Sequence, residues 1–213
     1  MNFHYVAIEG PTGVGKTVLI ERMAQKLEAT TVSEDSSENP FLKPFYEGRA
    51  GTAFQTEVFF LLSRFRRQQE LVQRQLFSSV TLCDYVFEKS RLYSYLNLED
   101  AELVIFEKLY GMLAEGVPQP DLVVYLQAAP ERLAERVRQR GRAEDQAISE
   151  QYLQEICRAY NHYYFHYSRT PLLVVNTTEL DLATRPDQVD DLIKQIEGMG
   201  RGTRYYVPLA EAK

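Results

Sequence analysis

The feature that most restricts this chain is Gly10-Pro11-Thr12-Gly13-Val14-Gly15-Lys16-Thr17. It fits GxxxxGK[ST] in full, follows the apolar run "FHYVAIE" (3–9) and precedes an amphipathic pattern. Glycines at 10, 13 and 15 let the backbone wrap an anion and aim its N–H groups inward. The helix that follows adds its positive end. Lys16 is placed to reach β- and γ-phosphates, and the Thr17 hydroxyl to ligate Mg²⁺. Residues 10–17 therefore predict a nucleoside triphosphate site, without saying what becomes of the phosphate.

The rest of the chain repeats the same alternation. Short apolar runs at 3–9, 30–34, 79–84, 121–126 and 171–176 suit strands buried on both faces, as in a parallel sheet. Between them lie helical stripes: Val18 or Ile20, Met23, Ala24 and Leu27; Phe54, Val58, Leu61, Leu62 and Phe65; Leu103, Phe106, Tyr110 and Leu113. Leu153, Ile156, Tyr160, Tyr163 and Tyr167 form an aromatic stripe that reads as core. Asn97 followed by Asp100, and Pro186 with Asp187, read as helix starts. The expectation is one α/β domain over residues 1–213, a three-layer sandwich whose five-stranded parallel sheet is flanked by helices. Segments 35–50 and 141–149 read as functional loops, and the stretch 198–213 as a loosely held tail.

Composition narrows the partners. A formal net charge of −6 sets the chain apart from basic nucleic-acid wrappers and membrane-surface binders. Cys83 and Cys157 form no CxxC motif and read as reduced buried thiols. No apolar run approaches the roughly 18 residues of a membrane span, and no secretory signal is visible. A cytoplasmic protein is the expectation.

Two further features point to phosphoryl transfer. Asp84 ends the run "SVTLCD", where P-loop enzymes hold Mg²⁺ directly or through water. Asp121 starts its strand and is the poorer candidate. "RVRQRGR" supplies Arg136, Arg138, Arg140 and Arg142, with Arg136 and Arg140 on one helical face and Gly141 permitting a break. An arginine-rich lid over about 138–149 would neutralise charge on a phosphoryl group in transit and exclude water.

With these motifs in view, the sequence resembles the bacterial deoxynucleoside kinases of the deoxyguanosine and deoxyadenosine kinase branch. The resemblance rests on "GPTGVGKT", "E…ENPFLKPFY" (34–46), "FQTEVFFLLSRFR" (54–66), "DYVFEKSRL" (84–92) and "RQRGRAEDQAIS…YL" (138–153). It implies five parallel strands, a homodimer, and transfer of the ATP γ-phosphoryl to a nucleoside 5′-hydroxyl in salvage. By position, it implies that Glu34 accepts the hydroxyl proton, that Tyr46 and Asp145 hold the sugar 3′-hydroxyl, and that Arg136, Arg140 and Arg142 belong to the lid. Glu34 also ends its predicted strand, where open α/β sheets place ligands. Two departures stand out. Tyr85 occupies the place of an arginine common in the family, leaving Lys89 or Arg91 to replace it, and the chain has no tryptophan.

Base choice is read from the helix over 51–78. Gln55 and Glu57 are about 200° apart on a helix, so only one faces the base. Glu57, Phe60 or Leu61, and Arg64 share a face. The resemblance puts Glu57 and Arg64 at base-contacting positions. Guanine offers two donors, N1–H and N2–H₂, which an ionised carboxylate accepts, and Arg64 suits O6 or N7. The expected substrate is a purine deoxynucleoside, with deoxyguanosine ahead of deoxyadenosine. The plainer alternative is that Glu57 only pairs with Arg64. Rival functions are a thymidylate-type nucleotide kinase using "SRFRR" (63–67) for an acceptor phosphate, and a P-loop regulatory ATPase.

Overall fold

The apolar runs become strands with both faces covered. The computed structural model describes residues 3–74, 80–141, 145 and 147–208. Its strands are β1 (Tyr5–Glu9), β2 (Thr30–Val32), β3 (Thr81–Cys83), β4 (Leu122–Gln127), β5 (Leu172–Asn176) and β6 (Thr203–Tyr206). They pair in parallel in the order β2-β3-β1-β4-β5-β6. The helices are α1 (Lys16–Leu27), α2 (Leu42–Tyr46), α3 (Thr52–Arg74), α4 (Lys89–Asn97), α5 (Asp100–Ala114), α6 (Pro130–Arg140), α7 (Glu150–Phe165) and α8 (Pro186–Glu197).

Alternation along the strands builds two cores. Val6 and Ile8 of β1, Val124 of β4 and Leu173 and Val175 of β5 pack with Leu19 and Met23 of α1 and Val189, Leu192 and Ile196 of α8. Ala7, Val123, Tyr125, Leu172 and Val174 face the other way, onto Ile156, Tyr160 and Tyr164 of α7. The aromatic stripe is therefore core: Tyr125 stacks on Tyr164 with ring centroids 4.4 Å apart. Cys83 and Cys157 are buried free thiols.

The sheet has six strands among the described residues, not the five expected. β6 comes from the stretch read as a tail: its backbone pairs with the open edge of β5, although its side chains are mostly exposed and give no apolar signal. Asn97 ends α4 instead of starting a helix; Glu99 caps α5 in a capping box with Glu102. Segment 35–50 holds the short helix α2. β2 stops at Val32, so Glu34 lies two residues past the strand end, at the carboxyl edge of the sheet.

Candidate active site

At that edge a cavity of about 750 Å³ gathers residues from along most of the chain, from Thr12 to Ala183. Thr12, Gly13, Val14, Gly15, Lys16 and Thr17 form its floor. Gly10 has φ 146°, and a Cβ there would stand 2.3 Å from the Leu126 carbonyl oxygen, so the loop's first bend admits only glycine. Gly10 and Pro11 are behind the floor: Lys16 Nζ donates to their carbonyls at 2.5 and 3.1 Å. Burial, with repulsion from Lys89, lowers Lys16 to about 8. A bound anion would favour its charged form and raise it again.

One anchor of this loop escaped the sequence reading. Glu9, the last residue of β1, is fully buried. It accepts from Gly10 N at 3.0 Å, Val86 N at 2.8 Å and the Tyr160 hydroxyl at 3.1 Å. One carboxylate thereby ties the loop to the segment after β3 and to α7. An acid closing an apolar run, directly before the loop's first glycine, was the available signal.

Glu34 lies at the centre of a charge cluster. Its Oε1 accepts from Arg64 Nε at 2.6 Å and its Oε2 from Lys89 Nζ at 2.8 Å. Burial alone would raise its pKa; Arg64 and then Lys89 overcome that and hold it at about 2. Arg64 also donates to Ser90 Oγ at 2.9 Å and lies over the Phe60 ring. Of the two replacements for the family arginine, Lys89 enters the cavity, whereas Arg91 is held by Glu107 at 2.8 Å. Tyr85 itself is fully buried in a core with Tyr5, Val32, Leu71 and Cys83.

Asp84 and Thr17 share the cavity wall. Asp84 Oδ1 accepts from Glu34 N at 2.9 Å, and burial raises the group to about 6. A hydroxyl and a carboxylate fit Mg²⁺, which takes few protein ligands and completes its shell with water and phosphate oxygens. Asp121, by contrast, accepts from the His4 and Tyr5 amides at 2.8 and 2.9 Å, at the opposite end of the strands.

The far wall carries the remaining candidates. Tyr46 and Asp145 line it, with Tyr93 and Tyr152. Arg140 reaches the cavity and pairs with Asp145. Arg136 also lines it, while its guanidinium donates to the carbonyls of Thr177 at 2.8 Å and Leu180 at 2.7 Å. Arg132, one turn earlier, joins them unforeseen. Arg142 lies outside the described residues.

Glu57 is buried, and Gln55 is exposed. Phe60 lines the cavity beside Glu57; Leu61 turns into the core with Phe87 and Phe106. Glu57 makes no ion pair with Arg64. Its Oε1 accepts from Asn97 Nδ2 at 2.7 Å, and its Oε2 is buried with no hydrogen-bond partner among the described residues. Burial raises it to about 7.

A phosphate loop opening on a cavity with a carboxylate, a lysine and arginines defines a P-loop phosphotransferase. Residues 6–199 match the family Deoxynucleoside kinase, and the chain belongs to that family. It is an ATP-dependent deoxynucleoside kinase. It is 30% identical to the deoxyguanosine kinase of Bacillus subtilis (strain 168) over 157 residues, 73% of this chain and 76% of the relative. It is also 30% identical to the deoxyadenosine kinase of Dictyostelium discoideum over 194 residues, 89% of this chain and 78% of the relative. In fold it resembles the deoxyadenosine kinase of M. mycoides, solved with bound dCTP, at a TM-score of 0.77 and 22% identity. That match covers 91% of this chain and 99% of the other.

Proposed function

We propose that the chain transfers the γ-phosphoryl of ATP to the 5′-hydroxyl of a purine deoxynucleoside, deoxyguanosine preferred. The observation that carries the base preference is Glu57, a buried acid on the cavity wall with one oxygen unpartnered among the described residues. Ionised, it complements the N1–H and N2–H₂ donors of guanine. Arg64, whose guanidinium has donors beyond those used on Glu34 and Ser90, suits O6 or N7.

Lys16 and the backbone N–H groups of the loop hold the β- and γ-phosphates. When bound, Mg²⁺ neutralises charge across those phosphates, and Thr17 and Asp84 are the residues that would hold it. Glu34 orients the 5′-hydroxyl and accepts its proton. A carboxylate held near 2 is a weak base, so its contribution is alignment more than proton affinity. Tyr46 and Asp145 hold the 3′-hydroxyl. Arg132, Arg136, Arg140 and Arg142 stabilise the phosphoryl group in transit. The carbonyl contacts of Arg136 also fix the loop whose residues Leu180 to Ala183 line the donor side.

Exposed apolar side chains on the packed helices α3 and α5 support a homodimer: Leu62, Val104, Ile105 and Met112. Two buried free thiols suit a reducing cytoplasm. No helix among the described residues is long and apolar enough to cross a membrane. Of the arginines in "SRFRR", Arg67 donates to the Ser33 carbonyl and Glu38, and Arg66 is paired at the surface with Glu70. Arg64, which does line the cavity, is engaged by Glu34 and Ser90, so the stretch gives little support to a pocket for an acceptor phosphate.

Glu57→Gln tests the base reading. The ratio of kcat/KM for deoxyguanosine over deoxyadenosine is expected to fall at least about tenfold, the equivalent of one misplaced buried hydrogen bond. An unchanged ratio removes Glu57 from base recognition.

A further inference from the structure

We infer that Glu57 reads either purine according to its protonation state, with Asn97 and Tyr152 fixing which of its oxygens carries the proton. The inference rests on the proposal that Glu57 faces the base.

The geometry that carries it is a relay across three elements. The Tyr152 hydroxyl of α7 donates to Asn97 Oδ1 at 2.9 Å, at the end of α4. Asn97 Nδ2 donates to Glu57 Oε1 at 2.7 Å, on α3. The two contacts hold the amide with Oδ1 toward Tyr152 and Nδ2 toward Glu57; turned over, it would set Oδ1 against an ionised Glu57. The amide in turn marks Oε1 as an acceptor in both protonation states. The proton, when present, sits on Oε2, the oxygen that has no partner among the described residues.

The two states present different faces to a base. Ionised, the carboxylate offers two acceptors, which match guanine N1–H and N2–H₂. Protonated, it offers C=O at Oε1 and O–H at Oε2, the acceptor–donor pair of a glutamine amide. That pair matches adenine N6–H₂ and N1. One side chain thus supplies both patterns.

The surroundings place the switch near neutrality. Burial favours the acid. The Asn97 hydrogen bond and Arg64 favour the carboxylate, Glu34 opposes it, and Lys89 of α4 favours it; the balance lies at about 7. Among the described residues, the other titratable groups facing Glu57 are Tyr46 of α2 and Tyr152 of α7. Burial pushes both well above the ordinary phenol range, so they stay neutral as Glu57 titrates.

The test is a competition between deoxyguanosine and deoxyadenosine, with ATP, across about pH 5.5 to 8.5. Both substrates draw on the same free enzyme, so groups that both require cancel from the ratio of kcat/KM. The wild-type ratio of deoxyadenosine to deoxyguanosine is expected to fall about tenfold for each unit of rising pH. Glu57→Gln should give a flat ratio that favours adenine. Asn97→Ala and Tyr152→Phe should move the wild-type line toward adenine at every pH, because the bond that favours the carboxylate is lost or turned over. Residues with only a structural role would lower both kcat/KM values and leave the ratio in place. A flat wild-type ratio, with Glu57→Gln still changing base preference, overturns the inference and leaves base reading intact. A Glu57→Gln ratio equal to wild type at every pH overturns both.

Discussion

Replacing Glu34 by glutamine separates what the carboxylate does for folding from what it does for chemistry. Its charge is held between Arg64, whose side chain is 2% exposed, and Lys89, which is 10% exposed. A carboxyl lowered from 4.5 to about 2 contributes about 3 kcal/mol to stability at neutral pH. The folded pKa lies below the unfolded one, so this stability is complete above about pH 5. It is lost as the pH falls toward 2, with about 1 kcal/mol gone by pH 4. Glutamine keeps an acceptor and can be reached by cavity water, so the variant should lose about 1–3 kcal/mol at pH 7. In a chain of this size that lowers Tm by roughly 2–12 °C. Urea or thermal melts at pH 7 and pH 4 should show the gap between wild type and Glu34→Gln narrowing with acid. Turnover at a temperature where the variant is folded should fall about 100-fold or more, with ATP binding retained. Equal stability at pH 7 would refute the ion-pair account. Near-normal turnover in the folded variant would remove Glu34 from the reaction.

Three other outcomes follow from the same geometry. Gly10→Ala meets the Leu126 carbonyl at a φ reserved for glycine and should destabilise by about 3 kcal/mol or more, read as a fall in Tm of roughly 6 °C or more. Lys16 loses its proton as pH rises through about 8, so ATP affinity of the free enzyme should weaken above that pH by up to about tenfold per unit; calorimetry on wild type and Lys16→Ala, which should lack this dependence, checks it. Wild type should sediment as a dimer and Val104→Glu with Met112→Glu as a monomer with an unchanged far-ultraviolet spectrum, because both side chains are more than half exposed in the single chain; a wild-type monomer would remove the proposed dimer.

The parts of the structure that a linear reading captured are those whose physics is local. A strand buried on both faces leaves a continuous apolar run, and β1, β4 and β5 are such strands. The loop at 10–17 needs glycines at fixed spacing, and the motif records them. α4 was missed because Ser90 and Ser94 occupy its buried face and interrupt the apolar period. β6 was missed because an edge strand is fixed by backbone pairing, and its sequence carries no alternation. Within the site, Lys89 and Arg91 were equivalent in sequence, yet two residues on a helix point apart, and only Lys89 meets Glu34. The contact between Glu57 and Asn97 joins positions 40 apart. It depends on how α3 and α4 pack, which no local pattern encodes.

The central claim is that the phosphate loop hands its γ-phosphoryl to a nucleoside alcohol. Incubating the protein with γ-labelled ATP and a panel of deoxynucleosides and their monophosphates tests it directly. The predicted result is label in a deoxynucleoside 5′-monophosphate, one ADP formed per product, with purine deoxynucleosides the best acceptors. ADP release without an acceptor, or label passing only to monophosphates, would contradict it.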